Sequence, residues 1–250
     1  MNKGYQLDYA SKRPQMYDKN SRIQKAKRII KTLQVHLGKN KLKNLTVLDI
    51  GASSGIIDSY LSPFFKKVVG TDIDKEAIGF ARKNFERNNL IFKIEDALSL
   101  SFKNNSFDIV ICTHIYEHVS NPQRLFDEIY RVLKHEGICY FAGTNKFFLW
   151  EPHYNLPFLS WFPKPMANFY VHVLKKSNQY YESPKNYWEL KKYCQKFKVF
   201  DITTNILRNP KKYGYEDKIS GTVSLLAFII SPFEKFLVPT FFWILRKENQ

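Results

Sequence analysis

Asp49 and Asp72 stand 23 positions apart, each closing a short apolar run, and the first is followed by Gly51-Ala52-Ser53-Ser54-Gly55. Small residues let a backbone turn sharply after a strand, so that a ligand can approach the N–H groups of the turn. An acid closing the next strand can accept hydrogen bonds from both hydroxyls of a ribose. Together they point to a ligand built on a nucleoside. Six histidines, His36, His114, His118, His135, His153 and His172, are the side chains able to titrate near neutral pH. His118, in YEHVSNP, and His153, in the aromatic segment WEPHYNLPF, are the first candidates for a base, with His114 beside them in sequence. The three cysteines, Cys112, Cys139 and Cys194, form no CxxC and no cluster with histidine. Neither a disulfide framework nor a zinc site is indicated, and no metal is expected.

These residues need a frame. Ile23, Ala26, Ile30, Leu33 and Leu37 recur at helical spacing and predict a helix over 21–37, capped by Ser21 and ended by Gly38. The runs 46–50, 67–73, 91–95, 107–113 and 138–144 read as five strands, with helices near 55–65, after Asp74, and from Asn121-Pro122 to Gly137. Strands alternating with helices at this spacing imply right-handed βαβ units and a parallel sheet covered on both faces. Ser183-Pro184 is expected to open a helix reaching about Phe197, with Tyr187, Leu190, Cys194 and Phe197 inward, before strands at 198–204 and 240–247. The last run, TFFWIL, is continuously apolar, as a strand buried on both faces should be. The apolar run TVSLLAFII (222–230) is too short to span a bilayer, and Ser231-Pro232 and Glu234-Lys235 interrupt it before LVPTFFWIL.

The net charge of +16 is unevenly spread: +10 over residues 1–46, −2 over 47–145 and +8 over 146–250. Basic flanks around a near-neutral middle suit an anionic partner such as lipid headgroups, RNA or a phosphorylated substrate, or else a lysine-rich solvated surface. Of the 40 aromatic residues, 24 lie in 146–250. The insertion 146–183 mixes Trp150, Phe158, Trp161, Phe162 and Tyr170 with Lys164, Lys175 and Lys176. That mixture suits a membrane interface, an amphiphilic substrate or a cap with a small core of its own. The N-terminus has no apolar stretch and does not read as a signal peptide, so the expected location is cytoplasmic, peripheral at the inner membrane face.

VLDIGASSG, then VVGTDID, then EDALSLSFKNNSFDIVICTHIYEHVSNPQRLFDEIYRVLKHEGICYF resembles the core of class I S-adenosylmethionine (SAM) dependent methyltransferases, in the subgroup of the ubiquinone and menaquinone biosynthesis enzymes. The resemblance covers about residues 40–145. It departs from the family's D-x-G-x-G-x-G at Ser53, where the middle glycine stands. It implies an α/β, Rossmann-like fold: a seven-stranded, mostly parallel sheet in the order 3-2-1-4-5-7-6 with the last strand antiparallel. The single domain would divide into a basic N-terminal segment (1–45), a SAM-binding core (46–145), a substrate cap (146–183) and C-terminal elements (184–250). Gly51, Ser53 and Gly55 would turn under the methionine part of SAM, and Asp49 would orient that turn or meet the amino group. Asp72 would bind the ribose and Ile73 pack on the adenine. Asp96 would accept from the adenine amino group, Ala97 offer its N–H, and Thr113 and His114 lie beside the reacting methyl.

NAD is the rival for such a turn, and the order of the motifs after the second strand argues against it. The expected activity is methyl transfer to a small or lipid-linked acceptor, O-methylation before C-methylation, with an anionic membrane surface as a candidate partner. An RNA methyltransferase is the second reading, although strand 4 leads into Thr113-His114-Ile115-Tyr116 without a (D/N)PP(Y/F) motif. A SAM-binding protein without catalysis is the third.

Overall fold

The computed structural model describes residues 7–10 and 13–248. Five parallel strands are β1 (Thr46–Ile50), β2 (Lys67–Asp72), β3 (Leu90–Ile94), β4 (Phe107–Thr113) and β5 (Leu133–Thr144). The sheet is completed by β6 (Lys198–Asp201) and β7 (Thr240–Arg246), in the order 3-2-1-4-5-7-6. β7 runs antiparallel to both β5 and β6 and lies between them, as its continuous apolar run requires.

Side chains alternate between the two faces of each strand, and the core divides accordingly. On one face Val47, Ile109, Ile111 and Tyr140 meet α1 (Lys19–Leu37), α2 (Ile56–Leu61) and α3 (Lys75–Phe85) through Ala26, Ile29, Leu33, Ile57, Leu61, Ile78 and Ala81. On the other, Leu48, Val110, Cys112, Phe141 and Trp243 meet α4 (Pro122–Val132) and α6 (Tyr187–Tyr193) through Leu125, Phe126, Ile129 and Leu190. α5 (Lys164–Val173) lies between these last two in sequence, within the insertion. All three cysteines are buried and unpaired.

Four local expectations are corrected. Asp18, not Ser21, caps α1, its carboxylate accepting from the Asn20 N–H at 3.0 Å; a carboxylate suits the positive end of the helix. α4 ends at Val132, and Gly137 lies inside β5 instead of ending the helix, since Leu133 already pairs with Phe107. His135 is therefore on a strand and not on a helix surface. α6 opens after Asn186, where Asn186 and Glu189 form a reciprocal capping box that outcompetes Ser183-Pro184 as a start. Tyr187, Leu190, Cys194 and Phe197 are all buried as expected, although α6 ends at Tyr193, short of the expected Phe197.

The insertion has a core of its own, Tyr154, Leu156, Leu159, Ala167, Val171 and Tyr180, beneath a two-residue hairpin (Trp150–Glu151 with Leu156–Pro157) and α5. Among the described residues no helix is long and apolar enough to cross a membrane.

Candidate functional site

A cleft opens at the C-terminal edge of β1, β2 and β4, the edge at which ligands bind in open α/β sheets. Of the residues expected to bind a cofactor, Asp49, Gly51, Ser53, Asp72, Ile73, Ala97 and Thr113 line it. Gly51 has φ 86°, and a Cβ there would lie 2.1 Å from the Ile115 side chain, so only glycine fits. Ser53 adopts φ 51°, in the left-handed region where the resembled motif has glycine. Its N–H donates to Asp72 Oδ2 at 2.8 Å, and its hydroxyl is buried without a protein partner. Asp72 Oδ1 accepts from the Asp74 N–H at 3.0 Å, and burial raises its carboxyl above the ordinary range.

Gly55 and Asp96 do not themselves line the cleft. Gly55, at φ 73°, heads α2, and a Cβ there would lie 2.7 Å from both Ala81 and Phe92, so its smallness serves packing. Asp96 Oδ1 accepts from the Leu98 N–H at 2.7 Å and shapes a turn; Glu95 lines the cleft in its stead.

The floor holds charges that sequence reasoning did not assign. Asp58, wholly buried on α2, faces Asp49. Burial pushes the Asp49 carboxyl up to about 7 and raises Asp58 well above its ordinary value, and the hydrogen bond between the two side chains raises Asp58 further while drawing Asp49 down. Ile57, Asp58 and Leu61 lie on the inward face of one short helix, and a carboxyl at that spacing was the available signal. Arg22 and Lys25 of α1 reach the cleft as well, and burial lowers the Lys25 ammonium to about 8. Tyr9, Ala10 and Met16 close it from the N-terminal side.

The three candidate bases differ in setting. His114, at φ 57°, lines the cleft with its Nδ1 3.3 Å from Glu117 Oε1. The Thr144 hydroxyl donates to the same oxygen at 2.7 Å. A carboxylate only accepts, so Nδ1 carries the proton and Nε2 is the basic nitrogen. Burial would raise the Glu117 carboxyl, but the hydrogen bond from His114 and the charges of His114, His118 and His153 together outweigh it and hold it at about 2. Burial lowers the His114 imidazole, which is therefore neutral near pH 7.

His118 also lines the cleft, but burial pushes it down to about 4, and its ring is packed 5.1 Å from both Tyr9 and His153. His153 does not line the cleft. Burial would lower its pKa, but the 2.7 Å bond from its Nδ1 to Glu151 Oε1 and the charges of Glu182, Glu151 and Glu117 together raise it. Arg13 lies over the Tyr9 ring, 3.7 Å from Glu182, and donates to the His153 carbonyl. The N-terminal segment, the loop after β4 and the insertion are thus latched at one point. Donor atoms of Glu117, His118 and His153 lie within 4.8 Å of one another, the one such trio among the described residues close enough to gather round a cation.

Residues 48–141 match the family model described as a methyltransferase domain. A ubiquinone biosynthesis O-methyltransferase of Pelagibacter ubique (strain HTCC1062) is 30% identical over 119 residues, 47% of this chain and 50% of that protein. The chain spans about half the length of the curated relatives it matches. YcgJ of Bacillus subtilis superposes with a TM-score of 0.51 at 18% identity, over 87% of this chain and 98% of that one. Phosphoethanolamine N-methyltransferase 2 of Haemonchus contortus, solved with S-adenosylhomocysteine, superposes with a TM-score of 0.53 at 18% identity, over 87% and 53%. The resemblance read from the motifs and the sheet order are both borne out.

Proposed function

We propose that this chain, which carries a methyltransferase domain over residues 48–141, binds SAM in the cleft and transfers its methyl group to an oxygen of a small or lipid-linked acceptor. The residues present fit that cofactor. The orphaned Ser53 hydroxyl and the Gly51 turn offer a polar cradle, and Asp72 would accept from a ribose. Asp49 would meet the ammonium of the amino-acid part, with Arg22 and Lys25 complementary to its carboxylate; Ile73 and Ala97 would flank the base. When bound, SAM supplies a methyl group on a sulfonium, already activated toward in-line displacement.

One observation carries the choice of oxygen: the His114–Glu117 pair opens onto the same cleft as Asp72. A hydroxyl must lose its proton as its oxygen takes a methyl group. His114 Nε2 accepts that proton, and the Glu117 carboxylate, buried below it, stabilises the imidazolium that results. His118 is too weak a base for this role and instead packs His153 and Tyr9 across the mouth of the cleft. The name of the Pelagibacter relative supports the same chemistry.

The aromatic insertion favours an acceptor with an apolar part, met at an anionic membrane surface. RNA is disfavoured because the basic face of α1 is partly neutralised within the chain, Arg28 by Asp217 at 2.6 Å and Lys31 by Glu216 at 3.1 Å. The test is transfer of tritium from labelled SAM into lipid, RNA and small-molecule fractions of a cell extract. Label in lipid or small molecules supports the reading, and label confined to RNA overturns it.

A further inference from the structure

The N-terminal segment crosses the cleft and is fastened on both sides of it. On one side the Ala10 N–H donates to Asp74 Oδ2 at 3.1 Å, and the Ser54 hydroxyl donates to the Met16 carbonyl at 2.6 Å. Tyr17 stands edge-on to Phe80 of α3 at 5.0 Å. Asp74 caps α3 and Ser54 belongs to the turn after β1, so these fasteners sit on the two loops that also carry Asp72 and Ser53. On the other side the Tyr9 ring packs 5.1 Å from His118. The Arg13 guanidinium lies 4.8 Å over Tyr9, 3.7 Å from Glu182, and donates to the His153 carbonyl at 3.5 Å. The Arg13 N–H donates to the Ala10 carbonyl at 3.1 Å and ties the two sides together.

These fasteners are few and mostly polar. Among residues 7–10 and 13–17 only Ala10 is buried, and the turn Pro14–Met16 buries nothing. α1, which starts one residue after Asp18, is instead set into the core by Ala26, Ile29, Ile30 and Leu33. A segment with little apolar burial, attached to a helix that stays in place, can lift without unfolding the domain.

We propose that Tyr9, Ala10 and residues 13–17 are a strap across the cleft, clamped to the insertion by Arg13, whose opening sets how fast the cofactor enters and leaves. Tyr9, Ala10 and Met16 all line the cleft, so lifting them uncovers it. Arg13 is the one strap side chain that meets both Tyr9 and the insertion, so its release frees Tyr9 from behind and breaks the link to Glu182 and His153 together. A strap that closes equally well with and without cofactor slows entry and exit by the same factor and leaves affinity unchanged. The inference rests on the reading that SAM binds in the cleft.

The experiment measures association and dissociation rates of tritiated S-adenosylhomocysteine with the full chain by rapid filtration, for the parent, Arg13→Ala and Ser54→Ala. The two variants loosen opposite sides of the strap, and neither side chain lines the cleft. Both rate constants should rise about tenfold in each variant, as expected for the loss of one such contact, with the dissociation constant within about threefold of the parent's. A rise in the dissociation rate alone would make Arg13 and Ser54 supports of the bound state and overturn the gate. Faster exchange in Ser54→Ala but not in Arg13→Ala would overturn the clamp on the insertion. Binding with rates indifferent to both variants would overturn the strap and leave the cofactor reading intact, whereas failure of the parent to bind S-adenosylhomocysteine would overturn both.

Discussion

His114 Nδ1 lies 3.3 Å from Glu117 Oε1, a carboxylate oxygen wholly out of solvent that also accepts the Thr144 hydroxyl. The pair sets the imidazole tautomer, and with it which nitrogen is basic. Glu117→Gln presents an amide in place of the acceptor and should invert that preference. Nitrogen NMR of the His114 ring should show the Nδ1–H tautomer in the parent and its loss in the variant. Methyl transfer should fall by about 10²- to 10⁴-fold, as expected when a positioned base is disabled. Unchanged S-adenosylhomocysteine affinity would separate this from damage to the cleft, and an unchanged rate would remove His114 as the base.

Asp72→Ala should weaken S-adenosylhomocysteine binding by about 2–4 kcal/mol through the loss of two charge-assisted hydrogen bonds. Calorimetry on the folded variant measures it. Asp72 also accepts from the Ser53 and Asp74 N–H groups, so the thermal midpoint should drop as well. A folded variant with full affinity would place the ribose elsewhere.

Ser53→Gly should stabilise the protein. A left-handed backbone costs a side-chain-bearing residue about 1–2 kcal/mol, and glycine's extra unfolded-state entropy takes back about 0.5–1 kcal/mol. The net expectation is a gain of about 0.5–1 kcal/mol in urea unfolding, with a modest loss of cofactor affinity if the Ser53 hydroxyl is a ligand donor. A destabilised variant would mean that this hydroxyl has a structural role in the folded chain.

The pH dependence of binding reports on Asp49. Its folded-state carboxyl is raised, to about 7, so the stability it contributes is full below the unfolded carboxyl value of about 4 and is lost as pH rises through 7. An ammonium needs the ionised form, so affinity for S-adenosylhomocysteine should climb with pH up to about 7, approaching tenfold per unit on the acid side. Asp58→Asn keeps a donor to Asp49 and should leave the midpoint nearly in place. Asp58→Leu removes the donor and should move the midpoint up, weakening binding at neutral pH. Identical profiles in all three proteins would disconnect the two carboxyls.

The fold was legible because periodicity reports burial. The alternation of Ile109, Val110, Ile111 and Cys112 and the apolar run TFFWIL each have one sheet position that buries them. Boundaries were less legible where two caps compete, as Asp18 does with Ser21 and Asn186 with Ser183. In the cleft, residues that end strands were readable, since Asp49, Asp72 and Thr113 owe their places to strand direction. Asp58, Arg22 and Lys25 were not assigned because they come from separate helices, and only the packing of α1 on α2 brings them to Asp49. The neighbouring Glu117 and His118 could be seen in sequence, but which histidine would keep a usable lone pair depended on burial and on Thr144, 27 residues away.

β7 is made after every other strand, yet it belongs in the interior of the sheet. Until residue 246 has left the ribosome, β5 presents an unpaired edge from Ile138 to Thr144, and β6 has no sheet neighbour at all. The nascent chain can assemble the order 3-2-1-4-5 early, with the cofactor cleft largely formed, but it carries an open, apolar strand edge throughout the synthesis of residues 145–239. The half of the sheet that makes the ligand floor can thus mature well before the half that closes it. During that interval, binding of the cofactor or of a holding chaperone would guard the molecule against edge-to-edge pairing with its neighbours on a polysome.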